Sequence, residues 1–155
     1  MTGLVQVGTG GGTPGRRAIV TRFGAFEIDE ADLIAFPQGL PGFEPCRQFV
    51  LLSSSEIAPL QCLQAVDGPR ASFIAIDPRL VVPDYPGVLP EAGRDLLGSA
   101  EDATLVWLAL ATLDAGGRAT ANLRAPIVID PARMVGCQVA LPDDEFSLRH
   151  DLALG

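Results

Sequence analysis

The chain has 155 residues, room for one domain that buries about 70% of the surface its unfolded form exposes. With 48% apolar and 19% charged residues, a disordered chain is excluded. The formal charge is −8 and all 11 basic residues are Arg, which excludes loose capture of nucleic acid through released phosphate counterions and favours a basic protein as partner.

Residues 1–17, MTGLVQVGTGGGTPGRR, hold no apolar core of signal-peptide length and are rich in glycine. They predict a flexible tail, with the folded domain spanning 18–152. From Ala18 onward short apolar runs are interrupted about every ten residues by Gly, Pro, Asp or Ser, the rhythm of an antiparallel β domain. AIVTRFGAFEI (Ala18–Ile28) and ADLIAF (Ala31–Phe36) read as two strands joined across Asp29 and Glu30. The segment FPQGLPGFE (Phe36–Glu44) then ends the second strand with a stiff loop: Pro37 and Pro41 fix their own φ, and Gly39 and Gly42 permit turns closed to other residues.

Three strands follow, Arg47–Ser54, Leu60–Val66 and Ser72–Asp77, with Asp67-Gly68-Pro69 as a turn between the last two. Four prolines make 78–90 irregular, and Pro90 opens a short helix stopped by Gly98. Thr104–Leu113 is nearly all apolar and predicts a central strand buried on both faces. Arg118–Asp130 and Gly136–Leu141 complete the sheet, with Pro126 restricted to an edge or a strand start. A meander is the simplest topology. The longest apolar run, Leu105–Ala111, is far short of the roughly 20 residues that cross a bilayer, so no membrane contact is expected.

No catalytic set stands out. The glycines of Val7–Gly15 lack the strand and helix that a phosphate loop needs. His150, with Asp151 and Ser147 near it, sits at a polar end rather than on a rigid support for a triad. Cys46, Cys62 and Cys137 are irregularly spaced, which predicts reduced thiols in a cytoplasmic protein and neither a disulfide framework nor, with His150, a zinc site. Clustered acids at Glu27–Asp32, Glu101–Asp102 and Asp143–Glu145 are solvated turns that also offer a negative patch. The loop Phe36–Glu44 is either a plug at one end of a barrel or a surface for a partner.

The succession FGAFEIDEADLIAFPQGLPGFE, FVLL, LQCLQAVDGP, SFIAIDP, PDY, ANLRAPIVID, CQVAL and SLRH resembles the FliW family of flagellar assembly factors from about Thr21 to His150. The resemblance implies a small, monomeric, mostly β protein: an antiparallel β-barrel-like domain with one or two short helices. It implies no enzyme activity and no cofactor. The implied partners are flagellin and the translational regulator CsrA, which the free factor binds and antagonises, coupling flagellin synthesis to export. Carried over by position, the implied partner-binding residues are Gly39, Leu40, Pro41, Gly42, Phe43, Glu44, Asp84, Tyr85, Asn122, Pro126 and Phe146. Gln64, Asp77, Pro78, Leu123, Ala125, Ile127 and Gln138 also match the pattern. Asp130, Ala65 and Phe146 depart from it, standing where Asn, Ser and Tyr are usual. The rival from another class is a ligand-binding or enzymatic barrel in which Gln64, Asp84, Tyr85 and Asn122 converge on a polar pocket.

Overall fold

A computed structural model describes residues 4–6, 16–21, 24–68, 71–85, 90–97, 105–141 and 146–152. The strands are β1 (Leu4–Gln6), β2 (Arg16–Thr21), β3 (Gly24–Asp29), β4 (Ile34–Ala35), β5 (Gln48–Ser53) and β6 (Gln61–Ala65), followed by β7 (Ser72–Ile76), β8 (Val106–Leu113), β9 (Ala119–Asp130), β10 (Val135–Gln138) and β11 (His150–Asp151). Among the described residues one α-helix, α1 (Glu91–Leu97), lies between β7 and β8. Strands β5 to β10 pair in sequence order as an antiparallel meander, and β4 joins β5 to β10, so seven strands close into a barrel. The closing pair, β4 with β10, is parallel and brief: Ala35 lies opposite Val135, and the Ala35 amide donates to the Met134 carbonyl at 2.8 Å.

Alternation along each strand sorts the apolar residues into layers. Ile34, Phe36, Phe49, Leu51, Leu63, Ala65, Ala75, Leu108, Ile127 and Ile129 point inward and fill the barrel. The opposite faces of β5 and β6 present Val50, Leu52 and Cys62 to Ile19, Phe26 and Ile28 of the β2–β3 hairpin. A third cluster covers the outer face of β8, β9 and β10, where Trp107, Val128, Cys137 and Val139 meet Tyr85 and Leu97. Arg133 ties α1 down by donating from Nη1 to the Leu97 carbonyl at 2.7 Å.

Several expectations are corrected. The run Ala18–Ile28 is not one strand but the hairpin of β2 and β3, with Thr21 opposite Gly24. The strand predicted over Ala31–Phe36 shrinks to Ile34–Ala35 because Asp29 and Asp32 form a capping box that starts a 3-10 turn at Glu30. The tail is not wholly unstructured, since Leu4–Gln6 pairs with β5. β8 is buried only in its first half; the end runs past the barrel rim, leaving Leu113 64% exposed. Pro126 is tolerated inside β9 because β9 bulges there: Leu108 faces Ile127 and Leu110 faces Asn122, so four residues, Leu123 to Pro126, lie opposite Ala109 alone. The stop at Gly98 and the turn residue Pro69 lie outside the described residues.

Candidate functional site

The loop after β4 is a chain of tight turns. The Gly39 amide donates to the Phe36 carbonyl at 2.9 Å, Phe43 to Leu40 at 2.7 Å and Cys46 to Phe43 at 2.9 Å. Gly39 and Gly42 have φ of +64° and +84°, the left-handed region where a side chain is strained. Inward, Phe36, Leu40 and Cys46 are buried in the barrel cluster, so the plug reading holds for the loop's underside. Outward, Pro41, Gly42 and Glu44 are exposed, and Phe43 lies half-buried with its ring edge against Phe73 of β7 at 5.1 Å.

Arg47 and Asp67 hold this loop; the sequence marked Asp67 only as a turn residue and gave Arg47 no role beyond a strand start. Arg47 donates from Nε to the Glu44 carbonyl at 2.6 Å and from Nη1 to the Pro37 carbonyl at 2.5 Å, bracing both limbs. Asp67 accepts the backbone amides of Arg47 and Gln48 at 3.0 Å each, fixing the loop's exit. The Glu44 carboxylate accepts the Gly42 amide at 3.1 Å. Hydrogen bonds from backbone amides, with a smaller attraction from Arg47, hold the Glu44 carboxyl below its ordinary pKa.

The second group of candidates gathers at the β9 bulge. Asn122 Oδ1 accepts the amides of Arg124 and Ala125 at 3.1 and 3.0 Å. The Tyr85 hydroxyl donates to the Leu123 carbonyl at 2.6 Å, and Gln138 Nε2 donates to the Ala125 carbonyl at 2.9 Å. Arg124 Nε reaches the Phe146 carbonyl at 2.9 Å, and the Phe146 ring lies 5.0 Å from Tyr85. A bulge frees backbone groups from the ladder, and here neighbouring side chains take them up.

The positions carried over from the resemblance divide by exposure. Gly39, Leu40, Tyr85 and Pro126 are buried and shape the surface from below. Pro41, Gly42, Glu44 and Asp84 are exposed, and Phe43, Asn122 and Phe146 are partly so.

An open groove connects the two groups. It starts at Phe73, beside Phe43, and reaches Asn122, passing Leu110, Thr112 and Leu148. At its rim Arg118 grips Asp151 with two bonds of 2.6 and 2.5 Å, joining the start of β9 to β11. That grip disposes of the triad reading, because both Asp151 oxygens face Arg118 and adjacent strand residues such as His150 and Asp151 point to opposite sides.

The polar pocket does not form either. Gln64 lies on the hairpin side of β6, where it accepts from the Ser72 hydroxyl and donates to the Ala65 carbonyl, while Tyr85 and Asn122 are committed to the bulge. Each cysteine lies in a different cluster, and no metal-binding group occurs among the described residues. Burial pushes the Cys137 thiol up to about 11, keeping it protonated and inert at neutral pH. The glycine run Val7–Gly15 lies outside the described residues, as do Glu101, Asp102 and Asp143–Glu145 of the predicted acidic patches.

Comparison with known proteins agrees with this architecture. The family described as FliW protein matches residues 17–152. Flagellar assembly factor FliW of Moorella thermoacetica is 36% identical over 138 residues, which cover 88% of this chain and 87% of that one. The protein of the same name from Syntrophus aciditrophicus is 37% identical over 137 residues, covering 85% and 84%. A crystal structure of the flagellar assembly factor FliW superposes with a TM-score of 0.78 at 34% identity, covering 87% of this chain and 96% of that one. With its barrel, loop and bulge all inside the matched span, the chain belongs to the FliW family.

Proposed function

We propose that this protein is a flagellar assembly factor that works by protein contact in the cytoplasm. It binds flagellin and, when free of flagellin, binds and antagonises the translational regulator CsrA, so that flagellin synthesis follows export. The observation that carries this reading is the likeness, over nearly the whole barrel, to proteins named flagellar assembly factor FliW. A packed barrel interior supports contact from the outside rather than chemistry within. The net charge of −8 suits a partner with a basic surface.

The proposed contacts are the outward residues of the loop, Pro41, Gly42, Phe43 and Glu44, with Asn122 in the groove and with Asp84 and Phe146 outside its lining. Calorimetric titration of the purified chain with flagellin and, separately, with CsrA tests the reading. Saturable binding to both, with flagellin displacing CsrA, is the expected result. Binding to neither means that the family's barrel is retained without its partners.

A further inference from the structure

β8 and β9 outlast the strand beside them. β7 pairs with β8 only from Ile74 to Ile76, opposite Ala111 to Ala109, so Thr112 and Leu113 have no ladder partner on that side among the described residues. On the other side β9 accompanies them, with Asn122 opposite Leu110 and Thr120 opposite Thr112. Alternation fixes the face. Trp107, Ala109 and Ala121 belong to the outer cluster, so Leu110, Thr112, Thr120 and Asn122 continue the inner face of the barrel beyond its packed end. There that face is only partly covered, and with Phe73 and the exposed Leu148 it forms the groove that runs from Phe73 to Asn122.

The polar groups around this apolar floor are unevenly spent. Both Asp151 oxygens are taken by Arg118, and Asp114 Oδ1 accepts the Gly116 and Arg118 amides at 2.9 Å each. Asp114 adds its own attraction to the Arg118 guanidinium, which thus answers to two acids. Asn122 Oδ1 is filled by two amides. Arg149 is tied only through its backbone amide, which donates to Ser147 Oγ at 3.0 Å. Among the described residues, the lining side chains with unspent charge-bearing or amide groups are therefore donors: the Arg149 guanidinium, exposed at the groove wall, and Asn122 Nδ2.

We propose, resting on the reading that this protein works through its outer surface, that the groove seats an acidic, apolar peptide segment of its partner. Apolar side chains of that segment cover Phe73, Leu110 and Leu148, and Arg149 receives its carboxylate beside Asn122 Nδ2. Charge complementarity decides the sign. An unspent guanidinium offers a carboxylate a bidentate bond, whereas a basic segment would have to compete with Arg118 for Asp114 and Asp151. The net charge of −8 repels acidic segments elsewhere on the surface, so a carboxylate is accepted only where Arg149 meets it. A partner that is basic overall is thus drawn in by the field and placed by one acidic segment. The groove begins beside Phe43, so the segment continues from contacts made at the loop.

Selection of a random dodecapeptide phage library on the full chain is the test, because it presumes neither flagellin nor CsrA. Enriched peptides should carry Asp or Glu beside Leu, Ile or Phe, and their fluorescein-labelled synthetic copies are titrated by anisotropy. Leu148→Ser, at an exposed position that opens no core, should weaken binding about tenfold, and Arg149→Gln about fivefold. Val20→Ser, at an exposed site on the β2–β3 hairpin outside the groove, should leave it unchanged. Replacing the acid of the peptide with its amide counterpart should cost the same factor on the unsubstituted chain and nothing further on Arg149→Gln. No enriched peptide, an enrichment of basic peptides, or acidic peptides whose binding survives either groove substitution overturns the proposal. Peptide binding of the expected kind alongside failed titrations with flagellin and CsrA would keep the groove and remove those two partners.

Discussion

The ring of Phe36 occupies the space that a side chain at Gly136 would need: a Cβ built on Gly136 meets Phe36 Cζ at 2.7 Å. This contact lies where β4 and β10 close the barrel, so a small residue on one strand makes room for a large one on the other. Gly136→Ala should cost about 1–3 kcal/mol of stability, the usual penalty of overpacking. Urea unfolding measures it, and adding Phe36→Leu should cost less than the two single changes summed, because the ring that collides is gone. Full additivity would mean that the backbone moves instead of the ring.

The two loop glycines separate strain from space. Both have positive φ, but a Cβ at Gly39 meets the Glu44 backbone at 2.7 Å whereas one at Gly42 meets nothing within 4 Å. Gly42→Ala should cost about 1 kcal/mol from backbone strain alone. Gly39→Ala should cost clearly more, since backbone cannot swing aside as a side chain can. Equal losses in thermal unfolding would show that the loop shifts as a body.

Much of this architecture was legible because alternation is a local signal. β5 to β10 follow from it within a few residues. The rest depends on partners distant in sequence: nothing in Ala31–Phe36 says that β4 pairs with β10, and nothing in Leu4–Gln6 says that it finds β5. AIVTRFGAFEI looked like one strand because its turn carries no proline or acidic residue. At the site, residue type misled in a specific way. Tyr85 and Asn122 have the groups of a binding pocket, but a bulge in β9 consumes them. Arg47, with no motif around it, turns out to brace the loop.

That assignment of the bulge predicts a stability cost at Asn122 and Tyr85, separate from any part that the exposed side of Asn122 has in partner contact. Asn122→Ala strands two amides and should lose about 1–3 kcal/mol, and Tyr85→Phe strands the buried Leu123 carbonyl and should lose about 1–2 kcal/mol. Denaturant midpoints at constant m-value check both. Wild-type midpoints would show that the bulge does not depend on these bonds.

Arg47→Ala removes the brace between Pro37 and Glu44 without opening a core cavity, since Arg47 is exposed. Global stability should fall by less than about 1 kcal/mol, because exposed polar contacts contribute little. Limited proteolysis within 37–45 should nevertheless quicken, as local opening is governed by local bonds. Unchanged cleavage would place the loop's rigidity in its turns alone.

The loop should also respond to acid through Glu44. Its carboxyl is held below the ordinary value chiefly by backbone hydrogen bonds, with a smaller pull from Arg47. A group whose folded pKa is lowered stabilises the fold above its unfolded pKa and loses that effect as pH falls through its folded pKa. The loop should therefore keep its geometry at neutral pH and loosen only below the ordinary carboxylate range. Following the Gly42 amide resonance against pH reads this directly, because that amide donates to the carboxylate. The resonance should shift with an inflection below that of an unperturbed glutamate, and in Glu44→Gln the inflection should vanish. An inflection at or above the ordinary value would show that the bond does not persist in solution and that Arg47 braces the loop without it.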